Sequence, residues 1–168
     1  MPDTETSRRS NPVAAADDVA RAQAMAMMRA ARHAALAYLD PDSNAPGISR
    51  IAYGVDMAGH PLTLISALAA HARALQANPV CAVMLGEPGE KGDPLTHPRL
   101  MIRAEAQFVA GVAPERAALR AHWLKGHPKA ALYVDFADFS FVRLQPLSAL
   151  LNMGFARAYQ LTAQDLTG

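Results

Sequence analysis

The chain has 168 residues, 51% of them hydrophobic, which suits one domain with a proper core and argues against a second. A formal net charge of +1, with basic residues spread rather than clustered, supplies no long-range field for nucleic acid or an anionic membrane. The single cysteine, Cys81, excludes an internal disulfide, and no run is long enough to span a bilayer.

In chain order, residues 1–12 are polar, hold two prolines and are expected to form a disordered tail, leaving 13–168 as the domain. No apolar segment of the kind a secretory signal needs follows Met1–Ser10, so a cytoplasmic protein is expected. Val13 to about Arg32 predicts a helix with Val19, Ala22, Met25, Ala26 and Met28 on one face. Ala34–Leu39 and Ile48–Val55 flank the turn-rich Asp40–Gly47 and read as a hairpin, and Asp56–His60 turns into a third strand of a meander. On the middle strand Arg50, Ala52 and Gly54 share one face, and Ile51 and Tyr53 lie on the other.

The third strand, Pro61–Ile65, ends at Ser66 and gives way to a helix in which Leu68, Ala72 and Leu75 recur at helical spacing. The unpaired N–H groups of a helix start can hold an anion, with Ser66, His71 and Arg73 nearby; the plainer reading is that Ser66 caps the helix. Asn78-Pro79 stops the helix, and Val80–Leu85, carrying Cys81 as a small buried hydrophobe, forms the next strand. Residues 86–98 make an exposed loop without the order of a nucleotide P-loop. Arg99–Val109 predicts a strand, Pro114 to about Lys125 a helix seated by Trp123, and Lys129–Phe136 a shorter helical piece. Phe139–Leu144 and Ala149–Leu161 predict the last strands, with Pro146 at a bend between them.

The six histidines show no metal-ligand spacing, so no metal site is expected; Gly-x-Ser-x-Gly and Gly-x-Gly-x-x-Gly are absent as well. The layout is mainly β (α+β), a six-stranded antiparallel barrel or sandwich with accessory helices.

Several segments, in this order and spacing, carry a resemblance: Leu36–Asp40, Ser49–Tyr53, Leu64–His71, Lys91–Leu100, Tyr133–Phe139 and Gly154–Ala158. The pattern resembles the pyridoxamine 5′-phosphate oxidase-like FMN-binding split barrels, and more narrowly the branch that includes haem-utilisation proteins. The resemblance implies a homodimer with FMN at the interface. It implies that Arg50, Ser66 and His71, with the Ala72 N–H beside them, hold the phosphate, that Ile51 also binds the cofactor, and that Arg99 heads a strand reaching the flavin from the partner subunit. The expected activity is that of a flavin-dependent oxidoreductase acting on an unknown small substrate or electron donor, with no catalytic residue assigned; Tyr53, Tyr133 and His127 are candidates to line the cleft. Two alternatives stand beside it. One is a haem-binding or haem-degrading protein, with His33, His60 and His97 as unassigned ligand candidates, and the other is a non-catalytic flavin-binding module. Nothing after Gly154 matches the Arg-x-His pair of true pyridoxamine-phosphate oxidases, so that reaction is not expected, and a sequence ending at Gly168, without the additional C-terminal region usual in haem-degrading relatives, weakens the expectation of a haem role without removing it.

Overall fold

A 14-residue strand, Phe139–Asn152, organises the molecule. The computed structural model describes residues 13–167, so the predicted N-terminal tail lies outside the described residues. In chain order the elements are β1 (Val13–Ala15), α1 (Asp18–Ala30), β2 (His33–Leu39), β3 (Pro46–Ala52), β4 (Gly54–Val55), β5 (Pro61–Ser66), α2 (Ala70–Ala77) and β6 (Val80–Leu85). There follow β7 (Arg99–Phe108), α3 (Arg116–Gly126), β8 (Phe139–Asn152), β9 (Ala158–Thr162) and α4 (Ala163–Leu166), with 3₁₀ turns at Pro94–Thr96 and Pro128–Leu132.

The strands form one mostly antiparallel sheet in the order β1-β9-β8-β7-β6-β2-β3, with β5 joined to β8 and β4 off this path. β8 pairs with β7 along its length, but its other edge changes partner. Phe139–Arg143 face β5, whereas Ser148–Asn152 face β9. Pro146 sits in the gap between those partners, opposite Ala104, where the β7–β8 register shifts. A residue without an N–H donor is tolerated there because no second strand asks for one. The expected bend between two strands is therefore a bulge inside one continuous strand.

Nine strands stand among the described residues, where six were expected. Val13–Ala15, read as helical, pairs in parallel with β9, an arrangement that three residues cannot announce by periodicity. Ile48–Val55 divides at Tyr53 because the Tyr53 N–H goes to the Arg32 carbonyl at 2.9 Å. β5 consequently pairs with β4 rather than with β3, and the meander is completed through that two-residue strand.

Asp17 caps α1 by accepting the Ala20 N–H at 2.7 Å, and the helix buries Ala20, Ala24 and Met28. The predicted face was offset from this stripe, since Val19 is 64% exposed; alanine and methionine occur all round this helix and leave its period ambiguous. Leu68 is also misplaced by periodicity. It precedes α2 and is exposed, while Ala72 and Leu75 are buried.

The main core lies between α1 and the sheet and includes Leu36, Ile51, Tyr53, Val83, Ile102 and Leu151. A second cluster of Leu62, Leu64, Leu119, Trp123, Val134 and Phe141 seats α3, as expected from Trp123. Cys81 belongs to the first core, and burial pushes its thiol up to about 11. We expect an aromatic disulfide reagent at pH 8 to leave the native thiol untouched and to label it on unfolding; rapid labelling of the native protein would contradict this burial.

Candidate functional site

Four of the six residues expected to hold a cofactor line one cleft. Arg50 and Ile51 come from β3, Ser66 from the end of β5 and His71 from the first turn of α2; Tyr133 and Phe139 close the opposite wall. The cleft has a volume of about 310 Å³. Strand alternation explains the aim of Arg50: Ile51 is buried in the core, so its neighbour turns outward. Among the described residues the Arg50 guanidinium has neither an ion pair nor a hydrogen bond.

His71 is half-buried in the cleft, and desolvation holds its imidazole below the ordinary histidine value, so it is neutral at pH 7. Among the described residues neither ring nitrogen has a hydrogen-bond partner, and the ring lies 6.3 Å from that of Tyr38, tilted by 57°. Ser66 is committed already. Its hydroxyl donates to the Asp138 carboxylate and accepts the Leu68 N–H at 3.1 Å. The residue preceding α2 as its cap is Ala69, which makes no side-chain cap bond, so Ser66 orders the turn rather than the helix start. Arg73, a further donor considered for this turn, is ion-paired with Asp42 on the surface.

Ala72 and Arg99 stand apart. Ala72 is fully buried, with its N–H on the Ala69 carbonyl at 3.0 Å. Arg99 begins β7, three strands from β3, which at roughly 4.8 Å per strand places it about 14 Å away. Its guanidinium donates to the Leu95 carbonyl at 3.0 Å. Of the three candidate lining residues, Tyr133 is in the cleft and packs against Phe139 at 4.9 Å between ring centres. Tyr53 is fully buried in the core, and His127 lies on another cleft, stacked on Trp123.

The histidines considered as haem ligands lie elsewhere. His97 uses both ring nitrogens within its own loop, with the Gly89 N–H at 3.2 Å and the Lys91 carbonyl at 2.9 Å. His33 and His60 sit 3.6 and 3.5 Å from Glu87 and Asp56. No group of three or more His, Cys, Asp or Glu able to hold a metal ion occurs among the described residues.

No protein-family model matches the chain. It is 34% identical over 114 residues to the non-canonical heme oxygenase HOZ, chloroplastic, of Arabidopsis thaliana, an alignment covering 68% of this chain and 34% of that protein. A solved heme binding protein from Mycobacterium smegmatis is 26% identical, with a TM-score of 0.77 over 92% of this chain and 62% of its own. A Clostridium acetobutylicum protein of the pyridoxinephosphate oxidase family, related to general stress protein 26, shares the fold at 10% identity, with a TM-score of 0.67 over 90% and 99% of the two chains. The chain has the split-barrel fold of the pyridoxinephosphate oxidase family protein, and its sequence is similar to those of the two haem proteins.

As a split barrel, the chain spans about a third of the Arabidopsis relative and less than two thirds of the mycobacterial one. No helix among its described residues is long and apolar enough to cross a membrane. What sequence reasoning missed in this split barrel is Asp138, which takes the Ser66 hydroxyl from a position 72 residues away. Its segment, Tyr133–Phe139, contributed to the resemblance, but nothing local in it marks that carboxylate as a partner of β5.

Proposed function

We propose that this split barrel binds haem, with Arg50 facing a propionate and His71 offering its imidazole to the iron. The observation that carries the reading is the pairing in one cleft of an uncompensated guanidinium with a neutral, unpartnered imidazole. A neutral imidazole keeps the lone pair that a metal needs, and an arginine makes short charge-assisted bonds to a carboxylate. Tyr133 and Phe139 supply apolar wall for a flat macrocycle. Bound haem would supply an iron centre able to take part in oxygen chemistry. The chain's own part is to fix the propionate, keep the ligand nitrogen unprotonated and exclude water. The named relatives, a heme oxygenase and a heme binding protein, favour haem over flavin.

The experiment is a titration with hemin. We expect a saturable band near ~400 nm, the cofactor's own signature, and a shifted band with weaker binding in His71→Ala. A titration without such a band, or one unchanged in that variant, would remove His71 as the ligand.

FMN is the second reading, favoured by the position of Arg50 beside the turn that leads into α2, where a phosphate would meet both a cation and a helix start. Against it stands Asp138, which places a carboxylate on Ser66. Preferential binding of FMN over riboflavin, with bands near ~370 and ~450 nm, would support the flavin and an oxidoreductase role on a small substrate.

Either cofactor exceeds what one protomer encloses, since about 310 Å³ is at the bottom of the roughly 300–1,000 Å³ range of ligand pockets. We take the second wall to come from a second copy of the chain. The outward face of the sheet carries Ile48, Ala37 and Ala82 in one registered row, and Ala35, Met84 and Met101 in the next. Arg50 ends the second row, at the edge of this apolar surface. A homodimer across the face would bring the partner's Arg99 toward the Arg50 cleft. Light scattering at micromolar concentration is expected to give twice the chain mass, and Met84→Lys should return it to a monomer; a wild-type monomer would leave the cleft open on one side and refute this arrangement.

A further inference from the structure

A second cleft, of about 270 Å³, lies where the ends of α1 and α3 meet, lined by Arg29, Arg32, Lys125, His122, His127 and Trp123. No carboxylate lines it, and none of its three permanent cations is ion-paired among the described residues. In a chain with a net charge of +1, such a concentration is local rather than a general surplus.

The plain explanation is that basic residues gather at helix C-termini to offset the helix dipoles. Two such ends carry roughly −0.5 each, or about −1 together. Three fixed positive charges therefore leave about +2 unmatched, so dipole compensation accounts for part of the cluster only.

Three of these groups, Arg32, His122 and His127, are also held in place. Arg32 donates through Nη1 to the carbonyls of Arg29 and Ala31 at 2.9 and 3.1 Å, which leaves Nε and Nη2 free. His122 donates through Nε2 to the Val55 carbonyl at 2.9 Å, and His127 likewise to the Arg32 carbonyl at 3.1 Å. Because a carbonyl only accepts, both rings carry their proton on Nε2 and leave Nδ1 free. His127 is stacked on Trp123 with ring centres 4.0 Å apart and planes within 8°. Gly54 completes the opening. Its φ is not positive, so no backbone strain demands glycine, but a Cβ there would come within 3.3 Å of the Trp123 ring and 3.5 Å of His127.

We propose that this cleft is a second ligand site, separate from the Arg50 cleft, that takes a small phosphate-bearing dianion. The positioned Arg32 guanidinium, joined by a second guanidinium and an ammonium around an unmatched charge of about +2, suits a phosphate better than a monovalent anion.

Trp123 is the chain's single tryptophan, so its fluorescence reports on this cleft. Inorganic phosphate and ribose 5-phosphate are titrated separately into the full-length protein at pH 8, with ionic strength held constant by potassium chloride. Saturation of the Trp123 signal by either probe is expected, and the tighter of the two shows whether the site takes a free or an esterified phosphate. The double variant Arg29→Ala/Lys125→Ala, changed at two exposed positions, should weaken binding at least tenfold while keeping a wild-type melting temperature. Arg50→Ala should bind as the wild type does. A signal reproduced by chloride alone, an unchanged affinity in the double variant, or a loss in Arg50→Ala would each overturn the proposal.

Discussion

Asp56→Ala is expected to lower the unfolding free energy by about 3 kcal/mol, the lower end of the cost of leaving one partner of a buried ion pair alone. Asp56 is 5% exposed and accepts from the Arg143 guanidinium at 2.9 Å and from the Ala58 and His60 N–H groups at 2.9 and 3.0 Å. The alanine would leave all three donors without an acceptor. The loss stays at the lower end because Arg143 keeps Glu115 at 2.9 Å. For a domain of this size each kcal/mol moves the melting temperature by roughly 2–4 °C, so a fall of about 6–12 °C is expected. Asp56→Asn retains an acceptor for the turn and loses only the charge, so it should cost about 1.5–3 kcal/mol.

The sign with pH follows from the same contacts. Burial raises the Asp56 carboxyl, but the bonds from Arg143, His60 and Ala58 outweigh it and hold the group below the usual carboxylate value. Its contribution is therefore complete above the unfolded value of roughly 4 and is lost as the pH falls through the depressed folded value. The gap between wild type and Asp56→Ala should close below pH 4; a gap that persists there, or a melting temperature within 2 °C of wild type at pH 7, would show that the network does not hold the turn.

Asp56 also marks where the sequence ceased to be informative. Asp56–His60 reads correctly as a turn from its glycine and its place between strands, but the arginine that makes its carboxylate a buried anchor is 87 residues on. Elements built from local signals were legible: the Asn78-Pro79 stop, the loop of 86–98, and α3 after Pro114 with Trp123 as its seat. Elements that exist only through pairing were not. Val13–Ala15 is a strand because β9 lies beside it, and Pro146 stays inside β8 because the other edge is vacant there. The site divides in the same way. The family resemblance brought Arg50 and His71 to one turn, which alternation and helix phase alone did not, whereas the engagement of Ser66 by Asp138 and the distance of Arg99 from Arg50 depend on the closed sheet.

Arg50→Ala should weaken hemin binding by roughly ten- to a hundredfold, equivalent to about 1.5–3 kcal/mol for one hydrogen bond to a charged group. Arg50 is exposed and unpaired among the described residues, so its removal leaves no buried group unsatisfied, and the melting temperature of the cofactor-free protein should not change. Affinity alone would not separate a propionate contact from a general loss of positive charge. The dimethyl ester of haem does, because it keeps the macrocycle and the iron but has no carboxylate. If Arg50 meets a propionate, the wild type should bind the ester less tightly than hemin, and Arg50→Ala should bind the two about equally. The interaction term of that cycle is then the worth of the contact. Arg50→Lys keeps the charge but loses the planar fork, and should fall between the two proteins. The same discrimination between hemin and its ester in wild type and Arg50→Ala would move the propionate to another cation, and a preference for FMN over riboflavin that Arg50→Ala abolishes would assign the cleft to the flavin phosphate.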